Sequence, residues 1–340
     1  MNSNTLITAF LASFVLLTCN NDLNVIDDFK TIPVIYALID GNVETNYIRV
    51  EKGFIDPEIG GLEIAKNPDS LYFGPEVIVR ITNMRTGTAV SLDRVDLVDE
   101  GFTREEGVFA TQPNIAYKLN IADLGMDNNE ILKLELIDAN DNVLTEAETM
   151  VIGEYMISST QPADPIRFRD ESDTTFGLRS DEQAARIYDL RLFINYTEED
   201  PVAGTNEEKV LEWVIETGLE RELSNGIYRS LTAFRVEGFT FFQFLGGAIE
   251  DNSAVSRTFN GIDIRYDAGG EDLAEYIDIG NANTGITSNQ IIPTYTNFSN
   301  DAVGVFSSRT TIISEEPYDL NSATRDSLRD GRFTRQLNFN

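Results

Sequence analysis

Residues 33–54 read PVIYALIDGNVETNYIRVEKGF, and this stretch decides the fold class. Pro33 to Ile39 is an apolar run, and Tyr47 to Phe54 returns with Ile48 and Val50 facing opposite to Arg49 and Glu51. Such period-two alternation belongs to half-buried antiparallel strands, because successive side chains of a strand point to opposite faces. Between the two runs, Asp40-Gly41 is expected to supply the positive-φ pair that a tight hairpin needs.

The same pattern recurs along the chain. Val77, Val79 and Ile81 alternate with Glu76, Ile78 and Arg80, Thr86-Gly87 turns the chain, and Ala89 to Asp93 leads back. Leu132, Leu134 and Leu136 point one way and Lys133 and Glu135 the other; the polar tip Asp138 to Asn142 then leads to a strand from Val143 to Ile152. Six or seven strands of this kind predict an immunoglobulin-like or transthyretin-like β-sandwich over residues 33–157. Ser158 to Pro165 is polar and punctuated by proline, the composition of a connection between packed units, and a domain boundary is placed there.

The remainder, 158–340, predicts a β-rich α+β domain, so the chain as a whole reads as mostly β. Arg186 to Tyr196 is a strand burying Tyr188, Leu190, Leu192 and Ile194, whereas Val210 to Ile215 fits either a strand or one face of a helix. Phe239 to Ile249 has helical spacing, although Gly246-Gly247 argues against a helix interior. Gly261 to Ala268 is a strand expected to end at a Gly269-Gly270 turn, followed by a helix from Glu271 to Ile277 with Leu273, Tyr276 and Ile277 inward. Ala302 to Ile313 is a strand, and Ser322 to Leu328 a closing helix capped by Asn321 or Ser322, with Gly331 past its end.

At the other end, Thr5 to Thr18 is almost wholly apolar and has the length of a signal-peptide core, too short to span a bilayer comfortably. Leu16-Leu17-Thr18-Cys19 resembles the lipobox of bacterial lipoproteins, in which the cysteine is acylated and becomes the mature amino terminus. Met1 to Thr5 contains no Lys or Arg, and Thr18 stands where a smaller residue is usual. The expected organisation is a signal peptide over 1–18, a lipidated tether over 19–32, and attachment to the membrane through lipid on Cys19. Several acyl chains, at about 0.8 kcal/mol per buried methylene, hold a protein to a membrane without a spanning helix.

Composition narrows the chemistry. The 340 residues carry 57 acidic and 26 basic side chains, a formal net charge of -31, which disfavours nucleic acid and anionic headgroups as partners. Histidine is absent, removing the usual general base and the commonest zinc or copper ligand, and the one cysteine cannot form an internal disulfide. No catalytic residue, metal ligand or cofactor is assigned. Carboxylates are numerous enough that paired-acid hydrolysis of a glycan remains an alternative, but Glu198, Glu199 and Asp200 before Pro201 read as a solvated turn. Asp138, Asn140 and Asn142 have the first oxygen-ligand positions of a calcium loop; Val143 stands where glycine is needed, and a hairpin tip explains the segment. Asn195-Tyr196-Thr197 and Asn297-Phe298-Ser299 match the glycosylation sequon and read as accidental in a bacterial lipoprotein. Tyr295 and Phe298, in a predicted loop from Pro293 to Asn300, are either core rings or exposed aromatics able to stack on a sugar or protein.

Leu16 to Cys19, the 33–54 hairpin, Gly107-Val108-Phe109-Ala110-Thr111 with Tyr117-Lys118-Leu119, and Pro293-Thr294-Tyr295-Thr296-Asn297 leading to Gly304-Val305-Phe306 together carry a family resemblance. The mature chain resembles a family of Bacteroidota outer-membrane lipoproteins of unknown function, often associated with TonB-dependent receptors. The resemblance implies an envelope location and a β-sandwich beginning, and brings no active residue beyond Cys19. The expected role is a lipid-anchored outer-membrane binding or accessory protein whose partner is an envelope receptor or a glycan. The rival expectations are an envelope glycan hydrolase and a structural or adhesive surface protein.

Overall fold

The computed structural model describes residues 30–55, 61–126, 129–153, 155–180, 183–282 and 294–340. The predicted signal peptide, Cys19 and the tether as far as residue 29 lie outside these residues, and residues 30–32 belong to the first strand. The chain is mostly β and sandwich-like.

Eight strands come from the first half: β1 Lys30–Ile39, β2 Thr45–Ile55, β3 Ile78–Asn83, β4 Ala89–Ser91, β5 Asp93–Asp96, β6 Ile115–Asn120, β7 Ile131–Ile137 and β8 Val143–Met150. They divide between two sheets. One runs β4-β3-β7-β8, and the other contains β1-β2-β6-β5. The chain changes sheet at Leu92, since β4 pairs with β3 and β5 with β6. Alternation builds the space between the sheets: Ile35, Ala37, Ile39, Ile48 and Val50 from one face meet Val79, Ile81, Leu132, Leu134 and Leu136 from the other.

The second half adds β9 Met156–Ile157, β10 Asp173–Arg179, β11 Ala185–Asp200, β12 Thr205–Glu220, β13 Leu223–Ser224, β14 Ile227–Tyr228, β15 Leu231–Glu237, β16 Ser256–Gly270 and β17 Val303–Ile313. β17 pairs in parallel with β1 and antiparallel with β16, giving an eight-stranded sheet ordered β12-β11-β16-β17-β1-β2-β6-β5 that runs through both halves. A second core forms where β11 and β16 face the three-stranded sheet β15-β10-β9 and the helix Gly238–Ala248. Phe168 stacks on Phe241 of that helix with ring centroids 4.2 Å apart. The closing helix Ser322–Asp330 has Asn321 as its cap, the side chain accepting from Thr324 N at 2.9 Å, and contributes Leu328 to the core.

Several local expectations change. Asp40-Gly41 does not make a two-residue turn: residues 40–44 form a longer connection, closed by the Asn46 side chain, which accepts from Asp40 N and donates to Asp40 O. Gly41 is set by packing, since a Cβ there would lie 3.1 Å from Val151 Cγ1. Gly269-Gly270 is no turn either. Both glycines continue β16, paired with Ile187 and Ala185, because a Cβ on the first would crowd Leu273 and Ile187 and one on the second would lie 2.9 Å from Ser307 Oγ. The segment Val210 to Ile215 resolves as strand, inside the 16-residue β12. Gly246 is tolerated in its helix because a Cβ would meet Phe333 O at 2.2 Å, so only glycine admits the C-terminal segment there.

Candidate functional site

The structure does not bring the residues of the candidate calcium loop, the acidic turn at 198–200 and the 293–300 aromatic loop together. Both carboxylate oxygens of Asp138 are used within its own hairpin tip, one accepting from Asn140 N and Asn142 N and the other from Asn142 Nδ2, and these bonds hold its carboxyl below the usual range. Among the described residues no group of three or more acidic, His or Cys side chains is placed to hold a metal ion. Glu198 is the partner of a buried arginine: Arg257 Nε donates to it at 2.9 Å, and Asp200 caps the turn by accepting from Val202 N and Ala203 N. Phe298 is a core ring, 7% exposed, and not an exposed stacking platform. Tyr295 donates its hydroxyl to Asp272 at 2.8 Å. Asn195 and Asn297 bond Asp263 and the Phe306 backbone, so both sequon amides are occupied.

A different cluster is assembled on the outward face of β2. Ile48 and Val50 turn into the core, so Tyr47, Arg49 and Glu51 turn out. β6 covers β2 only from Thr45 to Ile48. Beyond that, the connection from Leu97 to Asn114 crosses in place of a strand, tied down by Phe102 N to Leu97 O and Leu97 N to Asn114 O. A groove of about 410 Å³ results, lined by Tyr47, Arg49, Leu97, Phe102, Thr103, Arg104, Glu105 and Asn114.

Its charges are arranged asymmetrically. Arg49 Nη1 and Arg104 Nη1 both donate to one oxygen of Glu51, at 3.1 and 3.3 Å, so two guanidiniums share one carboxylate. Arg49 Nη2 also donates to Asn114 Oδ1 at 2.9 Å, and Arg104 Nη1 to the Tyr72 hydroxyl at 3.1 Å. Neither arginine is buried out of reach, their side chains being 29% and 20% exposed. The Arg104 guanidinium lies over the Phe109 ring at 5.4 Å. At the other end of the groove Tyr47 and Phe102 meet edge to face, centroids 5.4 Å apart, with half of Phe102 exposed. The Tyr47 hydroxyl donates to Glu100, which also accepts from Lys118. Those two bonds, that from Lys118 first, lower the Glu100 carboxyl, and the bond to Glu100 raises the Tyr47 hydroxyl.

Chemically this is a slot that brings two guanidiniums together, balanced by Glu51 and Glu105, beside an aromatic wall. Guanidiniums offer planar pairs of N–H donors that match carboxylate, sulfate or phosphate oxygens. An exposed ring next to them suits the apolar face of a sugar. Phe109, from the run Gly107 to Thr111, lies against Arg104 of this groove, while Tyr117 and Leu119 are core residues. In the sequence Arg49 shows only as one outward position of an alternating strand, and Arg104 carries no local signal of its own. The one available signal was two outward-facing cations in an acidic chain; that they meet on Glu51, 53 residues from Arg104, is tertiary information.

No family model matches the chain, and no curated protein matches it. Among solved structures it is similar to the C-terminal globular domain of an oligosaccharyltransferase from Pyrococcus abyssi, at 11% identity and TM-score 0.24, covering 70% of this chain and 46% of that one. It is also similar to a chain of a cytokine receptor complex, at 10% identity and TM-score 0.22, covering 87% of this chain and 100% of that one. The present chain thus spans under half the length of the first of these. At such TM-scores the likeness carries no argument about activity.

Proposed function

We propose that this chain is a lipid-anchored binding protein of the bacterial outer membrane, acylated at Cys19, whose β2 groove takes an anionic saccharide. The observation that carries the ligand class is the pair Arg49 and Arg104 on a single carboxylate oxygen of Glu51, beside the half-exposed Phe102 ring. The placement at the membrane rests on the lipobox-like Leu16 to Cys19 and on the family resemblance. An envelope receptor is the proposed recipient of the captured ligand.

Titration calorimetry of the chain against an oligogalacturonate and its neutral counterpart tests the groove. Binding of the acidic sugar alone is expected, with Arg49→Gln/Arg104→Gln weakening it by about 100-fold or more, since each of the two charge-assisted bonds lost contributes about 1.5–3 kcal/mol. Unchanged affinity in that double variant, with melting temperature retained, removes the groove from the reading. Mass spectrometry of the mature polypeptide tests the anchor separately, and an unmodified Cys19 would contradict it.

A second reading, the paired-acid glycan hydrolase, is favoured by one observation. Asp272 and Glu271 line a cavity of about 260 Å³ with Glu148, and burial raises the Asp272 carboxyl, as a general acid requires. It predicts hydrolytic activity lost in Asp272→Asn, and inactivity of the unaltered chain across acidic and neutral glycans eliminates it.

A further inference from the structure

The edges of the sheets are managed unequally. β4, β5 and β9 end their sheets with three, four and two residues. The edge of β8 is bridged by Ser299, whose N–H donates to Glu146 O. β12 is different: it is 16 residues long, it ends the eight-stranded sheet, and no described strand lies on its far side. Its pairing with β11 runs without a register shift from Asp200↔Thr205 to Arg191↔Val214. A regular ladder of that kind leaves alternate N–H and C=O groups of the outer edge directed away from the sheet, over a span of roughly 33 Å for ten residues.

The side chains along this edge are patterned. Glu208, Val210, Glu212, Val214 and Glu216 share the solvent face, with Val210 64% and Val214 49% exposed. On the other face Leu211, Trp213 and Ile215 are partly buried against the core, and Trp213 stacks on Phe244 at 5.0 Å. Arg191 of the neighbouring strand reaches Glu212 at 3.6 Å and Lys209 pairs with Glu207, which leaves the edge with a surplus of acid.

We propose that β12 accepts, along its free edge, an extended segment of a partner protein whose side chains alternate basic and apolar. Main-chain hydrogen bonds supply the attachment and the alternation supplies the choice. A strand laid beside the regular part of β12 puts its own residues opposite 208, 210, 212 and 214, with Glu216 just past the register shift, so bases facing the glutamates and small apolar groups facing the valines give favourable cross-strand pairs. A second copy of this chain is the poorer occupant, because β12 against β12 adds glutamates to glutamates within a molecule of net charge -31.

The test uses the full chain in detergent and the labelled peptide KTVTKTVTK, followed by fluorescence anisotropy. Saturable binding is expected, at least tenfold tighter than for ETVTETVTE. Two further peptides, N-methylated on one or the other alternate set of residues, keep the charge and remove one edge's donors. One set is expected to abolish binding and the other to leave it nearly intact; equal affinity of both with the parent overturns strand pairing. Glu208→Lys/Glu212→Lys/Glu216→Lys is expected to reverse the peptide preference, and an unreversed preference in a folded variant counts against the proposal. Hydrogen exchange is expected to slow across residues 206–214 on peptide binding; protection elsewhere, or a concentration-dependent dimer burying β12, overturns it.

Discussion

At the scale of single residues, the closest constraint is Gly304. It sits in β17 at φ +120°, and a Cβ there would lie 1.9 Å from Ile35 O in β1. No side chain relieves a clash with backbone, so the strand would have to retreat from its partner. Gly304→Ala is expected to destabilise the chain by about 3 kcal/mol or more in denaturant titration; a change under about 1 kcal/mol would show that β1 and β17 are less closely apposed. Asp272 supplies a pH-dependent counterpart. Burial raises its carboxyl, aided by Glu271 and Glu275 and opposed by the Tyr295 hydroxyl. A carboxyl whose folded value lies above its unfolded one holds its proton more firmly in the native state. Stability is therefore fullest below the unfolded value and is lost as pH rises through the interval up to the folded value. Asp272→Asn is expected to raise the melting temperature more at pH 7 than at pH 3, and equal changes at both would refute this.

At the scale of elements, β17 is held on its β1 side by polar contacts as well as by its ladder. Ser308 Oγ donates to Ile39 O at 2.9 Å and accepts from Ile152 N at 2.9 Å, with Ser308 fully buried. Ser308→Ala removes the hydroxyl partner of a buried acceptor and of a buried donor, each of which costs about 1–3 kcal/mol when left unmade. Chemical denaturation checks this, and a neutral result would mean water replaces the hydroxyl. The helix Gly238–Ala248 was legible from spacing because Phe241, Phe242 and Leu245 recur on one face. β12 was not, because its inward Leu211, Trp213 and Ile215 and its outward valines make a short apolar run that fits either period.

At the scale of the whole molecule, the eight-stranded sheet and the net charge act on stability together. β17 pairs with strands of both halves, and a strand shared in this way transmits the loss of either half to the other. Scanning calorimetry is expected to give one transition, at a temperature that rises between low and moderate salt as 57 acidic side chains are screened. Two well-separated transitions, or a melting temperature that falls with added salt, would contradict one part or the other.

The amino-acid sequence alone determined that the chain is mostly β and where most strands lie, while its charge total carries the expectation of a partner other than nucleic acid and its short apolar run before Cys19 carries the proposal of acylation there. Each of these is written in local order: alternation over a few residues, a charge total, a short apolar run. The shared sheet, the length of the first hairpin loop, the continuation of β16 through Gly269 and Gly270, and the meeting of Arg49, Glu51 and Arg104 were decided by tertiary structure. Each depends on which distant backbone or side chain arrives next to a residue. A glycine needed for close packing and a glycine needed for a turn are the same letter until the neighbour is in place.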